Sequence, residues 1–313
     1  MSNKPVVVIA DVILDRFSGL LEADYELARP WTSPSFEAFI AGPGAGARAM
    51  VTVSGKTPPA EILSQFPDLG LIACASTGFE GLDLDWCQAN SVLASNGAGA
   101  NAFDVADQAV GLLIAAYRRF TEGGQIARRG GWSLPGLSSR SLRGKRVGIV
   151  GMGRIGRAIA KRIDAFDIQV SWLGPNPKPD LAYPRAESLL ALAESCDALI
   201  LTALATPETE KMINREVIDA LGPQGVIVNV ARGSLVDELA LIAALREGRL
   251  WAAGLDVFEE EPSPAERWVG VPNLEAMPHS AGATPEGMQA VGDLLAENLR
   301  CFFAGKPLAS PIR

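Results

Sequence analysis

Short apolar runs alternate with stretches of helical spacing through the second half of the chain. The runs are residues 146–150, 169–173, 198–202, 226–230, 252–257 and 274–277. The helical stretches have recognisable ends, such as Asp237 as an N-cap before 238–247 with a stop at Gly248, and Asn214 before 215–221 and Gly222. This alternation predicts an α/β fold in which six parallel strands and their crossover helices form a doubly wound sheet.

The first hundred residues carry a weaker version of the same pattern. Apolar runs at 6–10, 50–53, 69–75 and 91–94 are separated by predicted helices such as 59–65. A single long helix is expected over 101–129, because Val105, Ala109, Leu112, Leu113 and Ala116 share one face. A last helix should run from Pro285 to about Ala304 and pack on the first domain. The predicted domains are 1–98 with 286–313, and 99–285.

Composition narrows the class of function. The chain has 313 residues, 48% of them hydrophobic, which is enough for two cores, and a formal charge of -8 without a dense basic cluster. Nucleic acid and anionic membranes are therefore disfavoured as partners, and a small molecule is favoured. The apolar run at 6–10 is too short for a signal peptide or a membrane span, so cytoplasmic residence is expected.

The cysteines suggest no special chemistry. They lie at positions 74, 87, 196 and 301, far apart and without a Cys-x-x-Cys pair. Neither a metal site nor a disulfide framework is predicted, and the four side chains are expected to be reduced, partly buried thiols.

A glycine-rich turn follows the first strand of the larger sheet. Gly151, Gly153 and Gly156 form the pattern G-x-G-x-x-G between a strand and a helix start. Gly151 permits the tight turn, Gly153 lets the backbone approach a pyrophosphate, and Gly156 allows close helix packing. Since a helix N-terminus attracts phosphate, the motif predicts a dinucleotide site of the Rossmann type, the alternative being a purely structural turn.

The end of the second strand bears on which dinucleotide binds. Gly174 occupies the position where NAD-binding folds carry an acidic residue for the ribose hydroxyls. Its absence removes repulsion against a ribose phosphate, which Asn176 and Lys178 could hold. NADP(H) is therefore favoured over NAD(H), with a solvated loop lysine as the alternative for Lys178.

Other candidate groups follow the later strands, at the sheet edge where doubly wound proteins bind ligands. Arg232 could fork onto a carboxylate, although an arginine at a strand end is often only a surface residue. His279 is the single histidine of the chain and lies in a small-residue loop. One of three glutamates at 259–261 could orient that imidazole for acid–base work, whereas such a run more often marks a solvated turn.

Four segments together resemble the D-2-hydroxyacid dehydrogenase family. They are 151–156, 229–237, 254–262 and 278–286, and they occur in the family's order. The similarity is greatest to the hydroxypyruvate/glyoxylate reductase branch with its plant-type hydroxyphenylpyruvate reductase relatives, which 213–223 and 305–308 also resemble. The resemblance spans residues 45–313.

This resemblance implies NAD(P)H-dependent reduction of a small 2-keto acid, of the glyoxylate or hydroxypyruvate type, to the D-2-hydroxy acid. Arg232 would bind the substrate carboxylate and carbonyl, His279 would donate the proton, and Glu261 would hydrogen-bond the imidazole. The family's glutamate follows a strand-end aspartate by five positions, which selects Glu261 over its two neighbours. Because the carboxylate favours a charged imidazole, reduction should weaken as the pH rises.

The resemblance also implies binding residues. The backbone N–H groups of Thr77 and Gly78 would receive the substrate carboxylate, and Asp256 would contact the nicotinamide amide. The implied cofactor-binding residues are Val105, Gly151, Gly153, Arg154, Ile155, Gly156, Asn176, Lys178, Ala231 and Asp256. No metal is implied.

The predicted two-domain arrangement, with a smaller flavodoxin-like substrate domain, places the expected active site in the cleft beside the cofactor domain, with hinges near 96–102 and 281–285. The family resemblance further implies a homodimer built through the cofactor domains, with 130–143 as an arm. Trp132 would then reach the neighbouring subunit's pocket or be an ordinary packing residue.

Two departures from the family pattern concern specificity. NADP-preferring relatives carry a serine–arginine pair after the second strand, where this chain has Gly174 and Pro175. Position 53 is valine and residues 54–56 replace the branch's usual polar loop, so the pocket that sorts keto acids is expected to differ.

Alternative functions remain open at this point. A dehydrogenase acting on bulkier keto acids such as phenylpyruvate is one, and a nucleotide-sensing interaction protein similar to the dehydrogenase-like transcriptional corepressors is another. Formate dehydrogenase pairs its histidine with glutamine, so Glu261 argues against it. Phosphoglycerate dehydrogenase is disfavoured because no regulatory extension is seen after residue 313.

Overall fold

The computed structural model describes residues 4–132 and 139–312, and the chain divides into two units. The first unit is Met1–Asn101 with Pro285–Arg313, and the second is Ala102–Thr284. The boundaries of these units lie near the domain boundaries expected from the sequence. The division into functional domains stays a prediction.

The first unit contains a five-stranded parallel sheet in the order β2-β1-β3-β4-β5. Its strands are β1 (Val6–Ile9), β2 (Glu26–Ala28), β3 (Ala49–Thr52), β4 (Leu71–Cys74) and β5 (Leu93–Ser95), and its short helices are α1 (Ser18–Leu21), α2 (Phe36–Ala41), α3 (Ala60–Leu63) and α4 (Leu84–Ala89). This order is that of flavodoxin-like folds. Strand β2 was absent from the sequence prediction, because only its last residue, Ala28, is buried.

The second unit contains a six-stranded parallel sheet in the order β11-β10-β9-β8-β6-β7. Its strands are β6 (Arg146–Val150), β7 (Gln169–Leu173), β8 (Ala198–Leu201), β9 (Val226–Asn229), β10 (Ala252–Leu255) and β11 (Leu274–Ala276). Its helices are α5 (Ala102–Arg118), α6 (Phe120–Arg128), α7 (Arg154–Ile163), α8 (Leu189–Ser195), α9 (Arg215–Leu221), α10 (Glu238–Glu247) and α11 (Ala265–Trp268). The predicted doubly wound Rossmann fold is confirmed.

Burial on both faces explains why the strands of the second unit were visible in the sequence. Val147 and Ile149 of β6 join one buried cluster, whereas Val150 joins the cluster on the other face. Strands buried on both sides read as continuous apolar runs. The predicted helix ends are confirmed as well, since Asp237 accepts a hydrogen bond from the Ala240 N–H and Gly248 ends α10 in the left-handed region.

The prediction of one helix over 101–129 is wrong. Arg119 has a φ of 54° and separates α5 from α6. A residue in the left-handed region cannot continue a right-handed helix, and the sequence carries no proline or glycine there to signal the break. The predicted apolar face of α5 is nevertheless buried. The predicted arm at 130–143 includes residues 133–138, which lie outside the described residues.

The last helix, α12 (Pro285–Phe303), belongs to the first unit. It contributes Val291, Leu295 and Leu299 to the buried cluster that also contains Val7 and Leu71 of the sheet. The four cysteines are free thiols, of which three are buried. Among the described residues, no helix combines the length and the apolar character that a membrane crossing requires.

Candidate active site

The glycine turn after β6 is fixed by close backbone contacts. Gly151 has a φ of 100°, and a Cβ there would lie 2.6 Å from the backbone nitrogen of Ala203. A Cβ on Gly156 would lie 2.2 Å from the Gly151 carbonyl oxygen. The Thr202 hydroxyl donates to that same oxygen at 2.5 Å. Thr202, which the sequence did not single out, therefore ties the turn to the end of β8.

Gly153 differs from the other two glycines because its surroundings are open. No heavy atom lies within 4 Å of a Cβ built there, and this residue is the N-cap of α7 without a side-chain cap bond. Backbone N–H groups at a helix start attract phosphate, so the turn fits a dinucleotide pyrophosphate. Of the other predicted cofactor residues, Arg154 and Ile155 begin this helix, while Val105 and Ala231 are buried.

The loop after β7 carries the predicted phosphate ligands Asn176, which is exposed, and Lys178, which is half-buried. Asp180 of this loop pairs with Arg157 of α7 at 2.6 Å. The hydrogen bond from that guanidinium holds the pKa of Asp180 below its usual range, and Lys178 adds to the effect. Arg185, which the sequence reasoning missed, reaches back to the Gly174 carbonyl oxygen.

His279 and Glu261 meet as the sequence predicted. The distance between His279 Nδ1 and Glu261 Oε2 is 2.5 Å, and the other carboxylate oxygen accepts the Phe258 N–H at 2.9 Å. The imidazole side chain is 47% exposed. Since Nδ1 faces the carboxylate, Nε2 is the ring nitrogen that remains for a ligand.

Asp256 holds the histidine loop in place. Its buried carboxylate accepts the N–H groups of Ser280 at 3.0 Å and Ala281 at 2.9 Å. Its own carbonyl oxygen accepts the His279 N–H at 2.7 Å. His279 itself adopts a φ of 51°. The structure therefore gives Asp256 a positioning role, while its predicted contact with a nicotinamide amide stays a prediction.

The turn at Arg232 lies against the turn that carries Glu261. Asn229 at the end of β9 accepts the Ala231 N–H and donates to the Arg232 carbonyl oxygen at 2.8 Å. A Cβ on Gly233 would lie 1.8 Å from the carbonyl carbon of Phe258, so only glycine allows this approach. Backbone contact thus joins the turn that carries Arg232 to the turn that carries Glu261, while the Arg232 guanidinium donates to the Ala231 carbonyl oxygen at 2.6 Å.

A buried glutamate stabilises the same turn. Glu238 is 2% exposed and accepts the Glu259 N–H at 2.6 Å and Arg267 Nη1 at 2.7 Å. Sequence reasoning treated Glu238 only as the first residue of α10, because a glutamate at a helix start is usually solvated.

In the first unit, Thr77 and Gly78 follow β4 in a loop held by side chains. Asn96 Nδ2 donates to the Thr77 carbonyl oxygen at 2.7 Å, and the Ser76 hydroxyl donates to the Gly78 carbonyl oxygen at 2.8 Å. Cys74 Sγ donates to the same Gly78 oxygen, and burial raises the pKa of this thiol. These bonds use the carbonyl oxygens of Thr77 and Gly78. The binding of a substrate carboxylate by the N–H groups of the two residues stays a prediction.

Comparison with known proteins decides the family. Residues 110–281 match the model of the D-isomer specific 2-hydroxyacid dehydrogenase NAD-binding domain. The chain belongs to this family. As a D-2-hydroxyacid dehydrogenase it is an oxidoreductase, and the predicted resemblance is confirmed.

Curated relatives match over nearly the whole chain. The hydroxyphenylpyruvate reductase of Plectranthus scutellarioides is 41% identical over 93% of this chain and 94% of its own length. Glyoxylate/hydroxypyruvate reductase A HPR2 of Arabidopsis thaliana is 38% identical with the same coverage. Among solved structures, the NADPH-dependent glyoxylate/hydroxypyruvate reductase of Sinorhizobium meliloti, in complex with NADP and malonate, has a TM-score of 0.89 at 33% identity, over 99% of this chain and 97% of that one.

Proposed function

We propose that this dehydrogenase uses NADPH to reduce a small 2-keto acid to the D-2-hydroxy acid, with glyoxylate and hydroxypyruvate as the leading substrates. The observation that carries the proposal is the 2.5 Å contact between His279 Nδ1 and Glu261 Oε2. It lies in the unit that also presents an open glycine turn for a dinucleotide. Reductases of both keto acids are among the relatives of this chain.

In this proposal His279 is the proton donor. The bound nicotinamide would supply a hydride to the carbonyl carbon, so the carbonyl oxygen needs a proton. Glu261 holds Nδ1 and stabilises the charged imidazole, which leaves Nε2 to give its proton to that oxygen. A neutral imidazole remains after the transfer and is recharged from solvent before the next turnover.

Arg232 would act on the substrate's charge. Its guanidinium can fork onto the carboxylate and can stabilise negative charge that develops on the carbonyl oxygen. Asp256, Glu238 and Gly233 are positioning residues, because each one holds a turn that carries a reacting side chain.

A bulkier substrate is the second candidate. The 41% identity to a hydroxyphenylpyruvate reductase favours it. We expect Val53 and the loop at 54–56 to distinguish substrates with small side chains from those with aromatic ones. In this loop the Ser54 hydroxyl donates to the Glu80 carboxylate, and Lys56 pairs with Asp11 at 2.8 Å.

Initial rates test both candidates. Each reduced cofactor is assayed against glyoxylate, hydroxypyruvate, pyruvate, phenylpyruvate and hydroxyphenylpyruvate. We expect the highest kcat/KM for NADPH with glyoxylate or hydroxypyruvate, and a maximum with an aromatic acid would favour the second candidate. Tight cofactor binding without turnover of any of these acids would overturn the proposal in favour of a nucleotide-sensing protein.

We also propose that the protein is a homodimer. The indole of Trp132, at the start of the predicted arm, is 96% exposed, which suits a side chain that packs against a second copy. Sedimentation equilibrium should give twice the 33.0 kDa chain mass, and a monomer at micromolar concentration would contradict this.

A further inference from the structure

The segment before α8 runs beside β7 as the remnant of a further strand. Arg185 forms an isolated parallel bridge with Trp172. The Trp172 N–H donates to the Pro184 carbonyl oxygen at 3.0 Å, and the Ala186 N–H donates to the Trp172 carbonyl oxygen at 2.8 Å. The Trp172 indole N–H also donates to the Tyr183 carbonyl oxygen. Arg185 therefore has a fixed backbone at the edge of the sheet.

The Arg185 side chain turns toward the end of β7. Its Nη2 donates to the Gly174 carbonyl oxygen at 2.8 Å and to that of Pro175 at 3.4 Å, while Nε donates to Gly174 at 3.3 Å. A guanidinium has five N–H donors. The bonds described use Nε and Nη2, so the two donors on Nη1 are left for a ligand on the exposed side of the residue.

This position lies beside the dinucleotide turn. The Gly151 N–H donates to the Leu173 carbonyl oxygen at 2.8 Å, and Gly174 is the next residue. In Rossmann folds the end of the second strand meets the adenosine ribose, and a carboxylate there selects an unphosphorylated 2′-hydroxyl. This chain has no carboxylate at Gly174 and brings a cation to the same turn.

The other cation of the loop is less suited to a phosphate. None of the hydrogen bonds described directs the Lys178 side chain toward Gly174, whereas the Arg185 guanidinium is held at that residue by neutral carbonyl groups. Asn176 carries no charge. We infer that Arg185 binds the 2′-phosphate of the adenosine ribose and thereby selects NADP(H), in place of the serine–arginine pair that NADP-preferring relatives carry at Gly174 and Pro175. This inference rests on the proposed function and assigns one residue of its cofactor specificity.

Direct binding tests the assignment without turnover. Dissociation constants are measured by titration calorimetry for NADPH, NADH, adenosine 2′,5′-bisphosphate and 5′-AMP, with the wild type and with Arg185→Ala. We expect Arg185→Ala to raise the dissociation constants of NADPH and the bisphosphate by about tenfold, the size of one exposed charge-assisted contact. The dissociation constants of NADH and 5′-AMP should stay within about twofold of the wild-type values. Arg215→Ala is the matched control, since this arginine is 73% exposed and pairs with Asp219 on the same helix.

Further variants keep the result interpretable. Arg185→Lys should recover part of the NADPH affinity, and Arg185→Gln should recover little, because a charge is needed and not only a donor. Equal weakening of both dinucleotides, or no change in NADPH affinity, would overturn the assignment, as would a wild type that binds NADH as tightly as NADPH. If the wild type reduces no keto acid yet shows the Arg185-dependent NADPH preference, the proposed function fails and this inference stands.

Discussion

The carboxyl edge of the six-stranded sheet carries two groups of turns that are built differently. In the catalytic turns, after β9, β10 and β11, carboxylate side chains fix the geometry: Glu261 contacts the His279 imidazole, and Asp256 accepts the backbone N–H groups of Ser280 and Ala281. In the nucleotide turns, after β6 and β7, the backbone makes the shape, and the side chain that approaches the ribose comes from a separate segment. Acid–base chemistry needs atoms at fixed positions, whereas a phosphate can be bound by a cation that a separate segment brings to the turn.

This contrast predicts large effects on turnover from changes in the catalytic turns, and smaller, selective effects on cofactor binding from changes in the nucleotide turns. Arg232→Ala should have the largest effect, a loss of about 10³-fold in kcat/KM for keto-acid reduction, because charge on the substrate loses its stabilising partner. Arg232→Lys should recover only part of it, since an ammonium cannot fork onto a carboxylate. Steady-state kinetics measure both effects. A rise in KM with an unchanged kcat would show that Arg232 only binds the substrate.

Gly233→Ala should lower the free energy of unfolding more than any other single methyl addition at the site. A Cβ 1.8 Å from the Phe258 carbonyl carbon forces two turns apart, with a cost of about 3 kcal/mol or more in free energy of unfolding. Urea titration checks this. An unchanged midpoint would mean that the Arg232 and Glu261 turns do not depend on each other.

Glu261→Gln should lower kcat by about 10- to 100-fold, because the amide no longer stabilises a charged imidazole. Steady-state kinetics at saturating NADPH measure this loss, and a kcat within about twofold of the wild type would contradict a role for the contact between Glu261 and His279.

Gly153→Ala should have the smallest effect on stability, and its main effect should be weaker cofactor binding. The site has open space for a methyl group, so the melting temperature should change little, but that methyl would occupy the path of a pyrophosphate. We expect roughly tenfold weaker binding of both NADPH and NADH. A loss confined to NADPH would contradict the separation of pyrophosphate and 2′-phosphate contacts.

The features that could be predicted from the sequence are those that leave a local pattern in the chain. The strands were predictable because both faces of the sheet are buried, and α9 and α10 because their caps are local hydrogen bonds. The glycine turn was predictable since sterics demand Gly151 and Gly156. His279 and Glu261 were found because the family pattern gives their spacing.

The missed features depend on distant parts of the chain. Thr202 and Glu238 contact their partner turns only after the strands are assembled, and Arg185 reaches Gly174 from 11 residues along the chain. The left-handed Arg119 and the three-residue strand β2 leave no local signal. Sequence reasoning therefore placed Asn176 and Lys178 at the ribose because they are the nearest polar residues, without access to the more distant arginine.

The proposed role of His279 is to donate the proton during keto-acid reduction. The most direct test is the single-turnover rate of hydroxypyruvate reduction by pre-bound NADPH, followed by stopped flow in the wild type and in His279→Asn. We expect a rate at least about 100-fold lower in the variant, with the NADPH dissociation constant unchanged. A variant that reduces hydroxypyruvate within a few-fold of the wild-type rate would contradict it.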